Sequence, residues 1–190
     1  VLTALMGGSF GAAGNTTPTT EWNLHCDPEA AKLVFSAWSR AVEADAAIAR
    51  PLVLGLNVTE RARITTDAVV RIARRAGSRP DDSLALARGE DPMLPVHSVA
   101  SDPIVRYLAD ALRFYFEFHD RYDGFYGAFI HDPLAVAATL DRTLVTTEPL
   151  FVDVETRGEL TSGMTVADRR HLTGRPANLD VAVTADVATF

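Results

Sequence analysis

The chain has 190 residues, enough for one domain with a substantial core, because a chain of this size hides most of the surface it would expose unfolded. Hydrophobic residues make up 47% and charged residues 23%, ordinary proportions that exclude a disordered or fibrous protein. The net charge of −7 argues against a nucleic-acid surface, which needs a concentrated positive patch, so the cluster Arg71, Arg74 and Arg75 reads as a solvated helix face.

In chain order, Val1 to Met6 reads as a short buried strand broken by Gly7 and Gly8, with the stretch from Gly11 to Gly14 continuing as loop. The polar run Asn15-Thr-Thr-Pro-Thr-Thr-Glu21-Trp22-Asn23 then hangs on a loop that follows a strand. Asp27-Pro28-Glu29 has the marks of a helix start: a carboxylate to cap free amides, a proline for the first turn and an acid at the positive end of the dipole. Ala31, Val34, Phe35, Trp38 and Val42 repeat at helical spacing and mark the buried face.

Pro51 to Val58 is a near-continuous apolar run of the kind found in parallel strands covered on both faces, and Thr65 to Arg75 reads as the helix after it. Ser78 to Pro95, rich in Asp, Gly and Pro, reads as irregular connection. Asp102-Pro103 repeats the Asp-Pro opening for a helix to about Asp120 with Val105, Leu108, Leu112 and Tyr115 inward, and Asp132-Pro133 repeats it a third time. From Leu150 onward, three segments with period-two alternation (Phe151 to Thr156, Gly163 to Asp168, Leu179 to Thr184) predict an antiparallel end-piece. Alternating strands and helices define an α/β fold, a mostly parallel, Rossmann-like sheet flanked by helices with a small antiparallel extension near the C-terminus, in one domain over 1–190.

Cys26 is the only cysteine, so no intrachain disulfide forms and nothing calls for an oxidising compartment. No apolar run approaches the ~20 residues needed to span a bilayer, and the stretch before Gly7 lacks the basic flank and cleavage pattern of a leader. A cytoplasmic location without a membrane partner is the expectation.

Two polar clusters carry candidate chemistry. Asn15, Glu21 and Asn23 supply amides that donate and accept and a carboxylate that accepts, groups complementary to the hydroxyls of a sugar. The same loop, with Thr16, Thr17, Thr19 and Thr20, is equally able to satisfy its own backbone without a ligand. His131 and Asp132 form the second cluster. Asp132 reads either as a plain helix cap or as a site carboxylate, and His131, behind apolar Phe129 and Ile130, falls where α/β sheets place ligands. An imidazole with an unperturbed pKa of about 6.5 suits proton delivery near neutrality. Tyr115 and His119, one helical turn apart, are candidates to wall a pocket for an aromatic base, with core packing as the competing role for Tyr115.

Met6-Gly7-Gly8, the run from Gly14 to Asn23, Asp27-Pro-Glu-Ala-Ala31 and the segment from Gly124 to His131-Asp132-Pro133 resemble, in order, the inosine-uridine-preferring nucleoside hydrolases. Val152-Asp-Val-Glu155 and Gly158 to Val166 resemble the carboxyl-terminal portion of that family, so the resemblance covers residues 1 to 190. It implies hydrolysis of the N-glycosidic bond of ribonucleosides, part of nucleoside catabolism and salvage, with a bound Ca2+ ion. By the same resemblance Asp132 is a metal ligand and His131 the histidine proposed, in part of the family, to protonate the departing base. Met6, Asn15, Glu21, Trp22 and Asn23 bind ribose, and Tyr115 and His119 fall among the base contacts. Related enzymes form homo-oligomers, dimers or tetramers. The family's amino-terminal Asp-x-Asp-x-Gly-x-Asp-Asp cluster has no counterpart here, so the expectation is the later portion of a hydrolase domain, with a non-catalytic nucleoside-binding or interaction module as the alternative.

Overall fold

A computed structural model describes residues 3–78, 97–98 and 100–190. The first two positions of the strand expected from Val1, and nearly all of the irregular connection expected between Ser78 and Pro95, lie outside the described residues. The chain divides into two compact units, one of Val1–Ala62 with Ile130–Phe190 and one of Arg63–Phe129.

The larger unit is built on a four-stranded sheet of β1 (Ala4–Met6), β2 (Leu52–Leu54), β5 (Val145–Leu150) and β8 (Leu179–Ala185), in the order β1-β2-β8-β5. β1, β2 and β8 run parallel, and β5 is the antiparallel edge. Leu52, Val53 and Leu54 are fully buried, which is why this strand reads as an unbroken apolar run and not as an alternating one. That run is shorter than its sequence suggests. Gly55 ends it, and α3 (Leu56–Thr59) takes up the residues assigned to the rest of the strand. Any side chain at Gly55 would meet the Phe10 ring at 2.6 Å and the Gly8 carbonyl oxygen at 2.7 Å, so only glycine allows the chain to turn there.

Of the two or three strands expected in the antiparallel end-piece, two form it. β6 (Val152–Val154) and β7 (Thr165–Ala167) pair antiparallel as a separate ribbon. The segment from Leu179, predicted to join them, instead inserts as β8 into the middle of the main sheet, where Leu179, Val181 and Ala182 are fully buried. Its partner β5, with Pro149 inside it, carried no strand pattern.

α2 (Pro28–Ala44) covers one face of the sheet through Phe35, which clusters with Val53, Leu179 and Val181, while α6 (His131–Leu140) brings Leu134, Ala135 and Ala138 against Leu52, Leu54 and Val58. On α2 the inward stripe contains Ser39, and Val34 faces outward. Asn178 explains this exchange. It is fully buried; its side chain accepts from Val152 N and donates to Val152 O, Phe35 O and Ser39 Oγ, so the polar Ser39 is buried with its hydrogen bonds met.

The smaller unit contains β3 (Arg63–Thr65) paired antiparallel with β4 (Gly127–Phe129), together with α4 (Thr66–Arg75) and α5 (Pro103–Asp123). Val69, Phe116 and Ala128 form its core with Ile64, Leu112 and Tyr126. Phe116, not Tyr115, continues the inward stripe begun by Val105; Tyr115 is 56% exposed. Among described residues no helix is long and apolar enough to cross a membrane.

After β7, Asp168 organises the next turn: its carboxylate accepts from Thr173 N and Oγ1 and from Leu172 N. These bonds favour the ionised form and hold its pKa down from 3.8 to about 2. The folded group binds fewer protons than the unfolded one between those values, so its stabilising contribution is full above about 3.8 and disappears as pH falls through about 2. An NMR titration of the Asp168 carboxyl is expected to give a midpoint near 2, with the Leu172 and Thr173 amides moving alongside it. A midpoint at the ordinary value would contradict this arrangement.

Candidate active site

At the carboxyl ends of β1 and β2, which are register partners at Met6 and Leu54, the two chain exits stay tied together. Gly7 N donates to Leu54 O at 3.0 Å, and Leu56 N donates to Gly8 O at 3.0 Å, so the ladder continues past the strands. On its other side Gly8 N donates to Glu21 Oε2 at 2.9 Å. Gly8 has φ +81°, and a Cβ there would lie 2.7 Å from Thr165 Cγ2, so this position needs glycine for both conformation and space.

Glu21 is buried, with 2% exposure, and caps α1 (Trp22–Cys26). Its Oε1 accepts from Asn23 N at 2.7 Å, and Oε2 accepts from Leu24 N at 3.2 Å as well as from Gly8 N. One side chain therefore fixes the glycine turn after β1 and the start of the helix that carries Trp22 and Asn23. A cap this deeply buried was not foreseen from the sequence.

The loop from Gly14 to Thr20 closes on itself, with Gly14 N donating to Pro18 O and Thr16 N to Thr20 O. It is also fastened to a distant part of the chain. Thr19 Oγ1 donates to Leu160 O, Thr20 Oγ1 donates to Ser162 O, and Ser9 and Thr165 exchange hydrogen bonds. The threonines are thus taken by structure, as the ligand-free reading of this loop anticipates.

The asparagines are taken only in part. Asn15 Oδ1 accepts from Trp22 N at 2.9 Å, while its NH2 group makes no hydrogen bond to a described residue. Asn23 Nδ2 donates to the Met6 carbonyl and lies 3.2 Å from Met6 Sδ, while its Oδ1 is similarly unengaged. Both residues are exposed, and the Trp22 ring beside them is 58% exposed. One open donor and one open acceptor flank an aromatic surface, with Met6 at the strand end holding one of them.

His131 and Asp132 open α6. The strand before them, β4, belongs to the two-stranded sheet and not to the main one, so the expected position at the end of a main-sheet strand is reached differently. The His131 ring meets α3, directly after β2: Nδ1 lies 2.7 Å from Thr59 Oγ1. Asp27 and Asp102 cap their helices through side-chain hydrogen bonds, but the third Asp-Pro differs. Here the helix begins at His131, two residues before the proline, no side chain caps it, and Asp132 stands exposed in the first turn without a hydrogen bond to a described residue. The plain-cap reading of Asp132 is therefore wrong.

Tyr115 and His119 belong to the smaller unit. His119 is 9% exposed, its ring stacked with Phe125 and edge-on to Phe129, and its Nδ1 lies 2.7 Å from Asp123 Oδ2. Tyr115 makes an edge contact with Phe114. Thr59, buried against His131, was missed because Pro51 to Val58 reads as strand; the glycine interrupting that run was the available signal. Neighbouring Asn57 donates to Ala182 O, and its Oδ1 is buried with no hydrogen-bond partner among described residues.

Calcium takes six to eight oxygen ligands. Among the described residues no three of His, Cys, Asp and Glu converge, and Asp132 offers a single exposed carboxylate, so these residues do not by themselves form a calcium site.

An α/β sheet with a polar loop after its first strand, and a histidine whose ring meets the helix after its second, places the molecule among enzyme folds that bind ligands at strand ends. The match to the model of the inosine-uridine preferring nucleoside hydrolase family runs over residues 3–190, and the chain belongs to that family. It is 36% identical over 98% of its length to the pyrimidine-specific ribonucleoside hydrolase of Shewanella woodyi, covering 48% of that protein. A Salmonella newport protein of the same name is also 36% identical, with 49% covered. Among solved structures it superposes on a purine-preferring ribonucleoside hydrolase from Gardnerella vaginalis with a TM-score of 0.69 and 29% identity, spanning 97% of this chain and 47% of that one. A plant nucleoside hydrolase gives 0.65 and 25%, spanning 96% and 48%. The chain spans about half the length of the curated relatives it matches.

Removing the Glu21 carboxylate leaves three backbone N–H groups without their acceptor. Glu21→Ala is expected to cost about 3 kcal/mol in urea denaturation, and Glu21→Gln, which keeps one accepting oxygen, roughly half of that. Equal stability of all three proteins would remove the carboxylate from this role.

Proposed function

We propose that this chain supplies the ribose-binding loop and the His131-Asp132 pair of a ribonucleoside hydrolase, an enzyme that adds water to the anomeric carbon and releases a free base. Membership of the family supports the reaction class. The observation that carries the local assignment is the half-used state of Asn15 and Asn23, each with one end of its amide binding the protein and the other open to a hydroxyl.

As the ribosyl C–N bond stretches, positive charge grows on the sugar ring, and acceptors fixed before the reaction stabilise it without reorganising. Asn15 donates to one ribose hydroxyl, Asn23 Oδ1 accepts from another, and Glu21 Oε1, with one N–H already bound, retains a lone pair for a third contact. Met6 and Trp22 border the ring. His131 gives a proton to the base nitrogen as the bond breaks, so the base leaves neutral. Water supplies hydroxide to the carbon and a proton to the medium, which balances the reaction.

Asp132 is assigned to the metal side of the site. The ion itself needs ligands beyond the described residues, and Ca2+ is the cation that the resemblance implies. Tyr115 and His119 are assigned to the base side. The relatives are named for both pyrimidine-specific and purine-preferring activities, so either base class is a candidate substrate. A single domain in a cytoplasmic homo-oligomer completes this reading. The lack of a converging carboxylate cluster among described residues favours, as a second reading, a module that binds nucleosides without turnover.

Release of free base from inosine and uridine, measured with and without a calcium chelator, separates the two. Release abolished by the chelator is the outcome expected of the hydrolase, and calorimetric nucleoside binding without release is that of the module. In the active protein, Asn23→Ala is expected to raise KM about tenfold through the lost hydroxyl contact. His131→Ala is expected to lower kcat about a hundredfold or more with bases that leave only when protonated. Unchanged rates on both nucleosides would withdraw the role from His131.

A further inference from the structure

We infer that Thr59 is a positioning residue for His131: its hydroxyl accepts a hydrogen bond from Nδ1–H, holding the imidazole in one tautomer with Nε2 as the nitrogen that exchanges a proton with the substrate. This rests on the proton-donor role proposed for His131.

The direction of the bond is inferred from the acceptors around the hydroxyl. A threonine hydroxyl has one hydrogen to donate and two lone pairs to accept with. Thr59 Oγ1 lies 3.2 Å from the Gly55 carbonyl oxygen and 2.7 Å from His131 Nδ1. The Gly55 carbonyl can only accept, and it already takes Val58 N and Thr59 N at 3.1 Å each; we place the hydroxyl hydrogen on it as a third, shared donor, one helical turn back from Thr59. What remains for the imidazole is a lone pair. Nδ1 must then carry the proton and donate it, and in a neutral imidazole the second nitrogen is left as an acceptor. The same arrangement suits the acid form that delivers a proton to a leaving base, because Nδ1 is protonated in that form too. The reverse arrangement, with the hydroxyl donating to Nδ1, is compatible only with a ring that lacks the Nδ1 proton.

The threonine is well held for this task. Thr59 has no exposed surface, its neighbours Leu56 and Val58 have none either, and its β-branched side chain has little freedom about χ1. Thr59 N also donates to Gly55 O, at 3.1 Å. Gly55 is itself confined by Phe10 and the Gly8 carbonyl. A chain of fixed contacts therefore runs from the glycine turn after β1, through Gly55 and Thr59, to the imidazole. Partners of this kind, which do not touch substrate but orient a group that does, typically change activity by about ten- to a hundredfold when removed.

The test uses Thr59→Val, which keeps the shape and removes the hydroxyl, and Thr59→Ser, which keeps the hydroxyl. Histidine 15N spectra of the whole chain are expected to show His131 protonated at Nδ1 in the parent and in Thr59→Ser, and a mixture of tautomers in Thr59→Val. With nucleoside substrate, Thr59→Val is expected to lose kcat by about tenfold with KM little changed, and Thr59→Ser to recover most of the loss. A parent His131 protonated at Nε2 alone, or a tautomer unaltered by Thr59→Val, would overturn the inference. The spectra require no turnover, so they decide the role of Thr59 even if the chain hydrolyses no nucleoside, a result that would count against the proposed reaction alone. If Thr59→Val does not fold, the tautomer of the parent still decides it.

Discussion

The peptide around Gly8 is the point on which the rest of the site depends. Its N–H is held by the buried carboxylate of Glu21 and its carbonyl by Leu56 N, so a single glycine joins the exit of β1 to the helix carrying Asn23 and to the turn leading to Thr59. A carboxylate in such a place is tolerated because three amides surround it, and the amides are satisfied because it is there. Neither half of this arrangement is stable alone. The positive φ at Gly8 and the lack of room for a Cβ have the same origin, a backbone drawn close between two neighbours.

From that frame the two clusters divide their labour. The loop after β1 is mostly committed to holding itself, and what it offers outward is the unused half of two amides. The pair after β4 is less constrained at its carboxylate and more constrained at its imidazole. Asp132 stands exposed in a helical first turn, where the dipole favours a negative charge. His131 is tied to Thr59. The two roles proposed for them differ in the same way, since recognition depends on fixed partners and ion binding on a ligand able to adjust to a crowded coordination sphere.

Much of this was legible in the sequence, for identifiable reasons. The Asp-Pro pairs announced α2 and α5 because capping and proline geometry are local, and the apolar run at Leu52 announced a buried parallel strand. Local signals failed where tertiary partners decided. β8 alternates like an exposed strand, yet lies at the centre of the sheet, because both of its neighbours come from distant segments. Ser39 replaced Val34 on the buried face of α2 because Asn178, 139 residues away, bonds it. Phe116 took the inward place given to Tyr115 because, at 3.6 residues per turn, position 116 returns to within about 20° of Val105 while position 115 stands about 80° away. The polar residues of the loop were recognised as candidates, but which of their atoms are occupied depends on backbone groups that only the fold brings near.

The fastening of the first loop to the segment around Leu160 to Thr165 affects how the protein is made. Ser9 and Thr165 are 156 residues apart, and at ribosomal speeds of about 5–20 residues per second the later partner emerges roughly ten to thirty seconds after the earlier one. During that interval the stretch has its local bonds to Glu21 and Leu56 within reach but lacks those to Leu160, Ser162 and Thr165. The loop after β1 therefore gains its distant fastenings late in synthesis, and a nascent chain stalled before Leu160 would carry Thr19 and Thr20 without those acceptors.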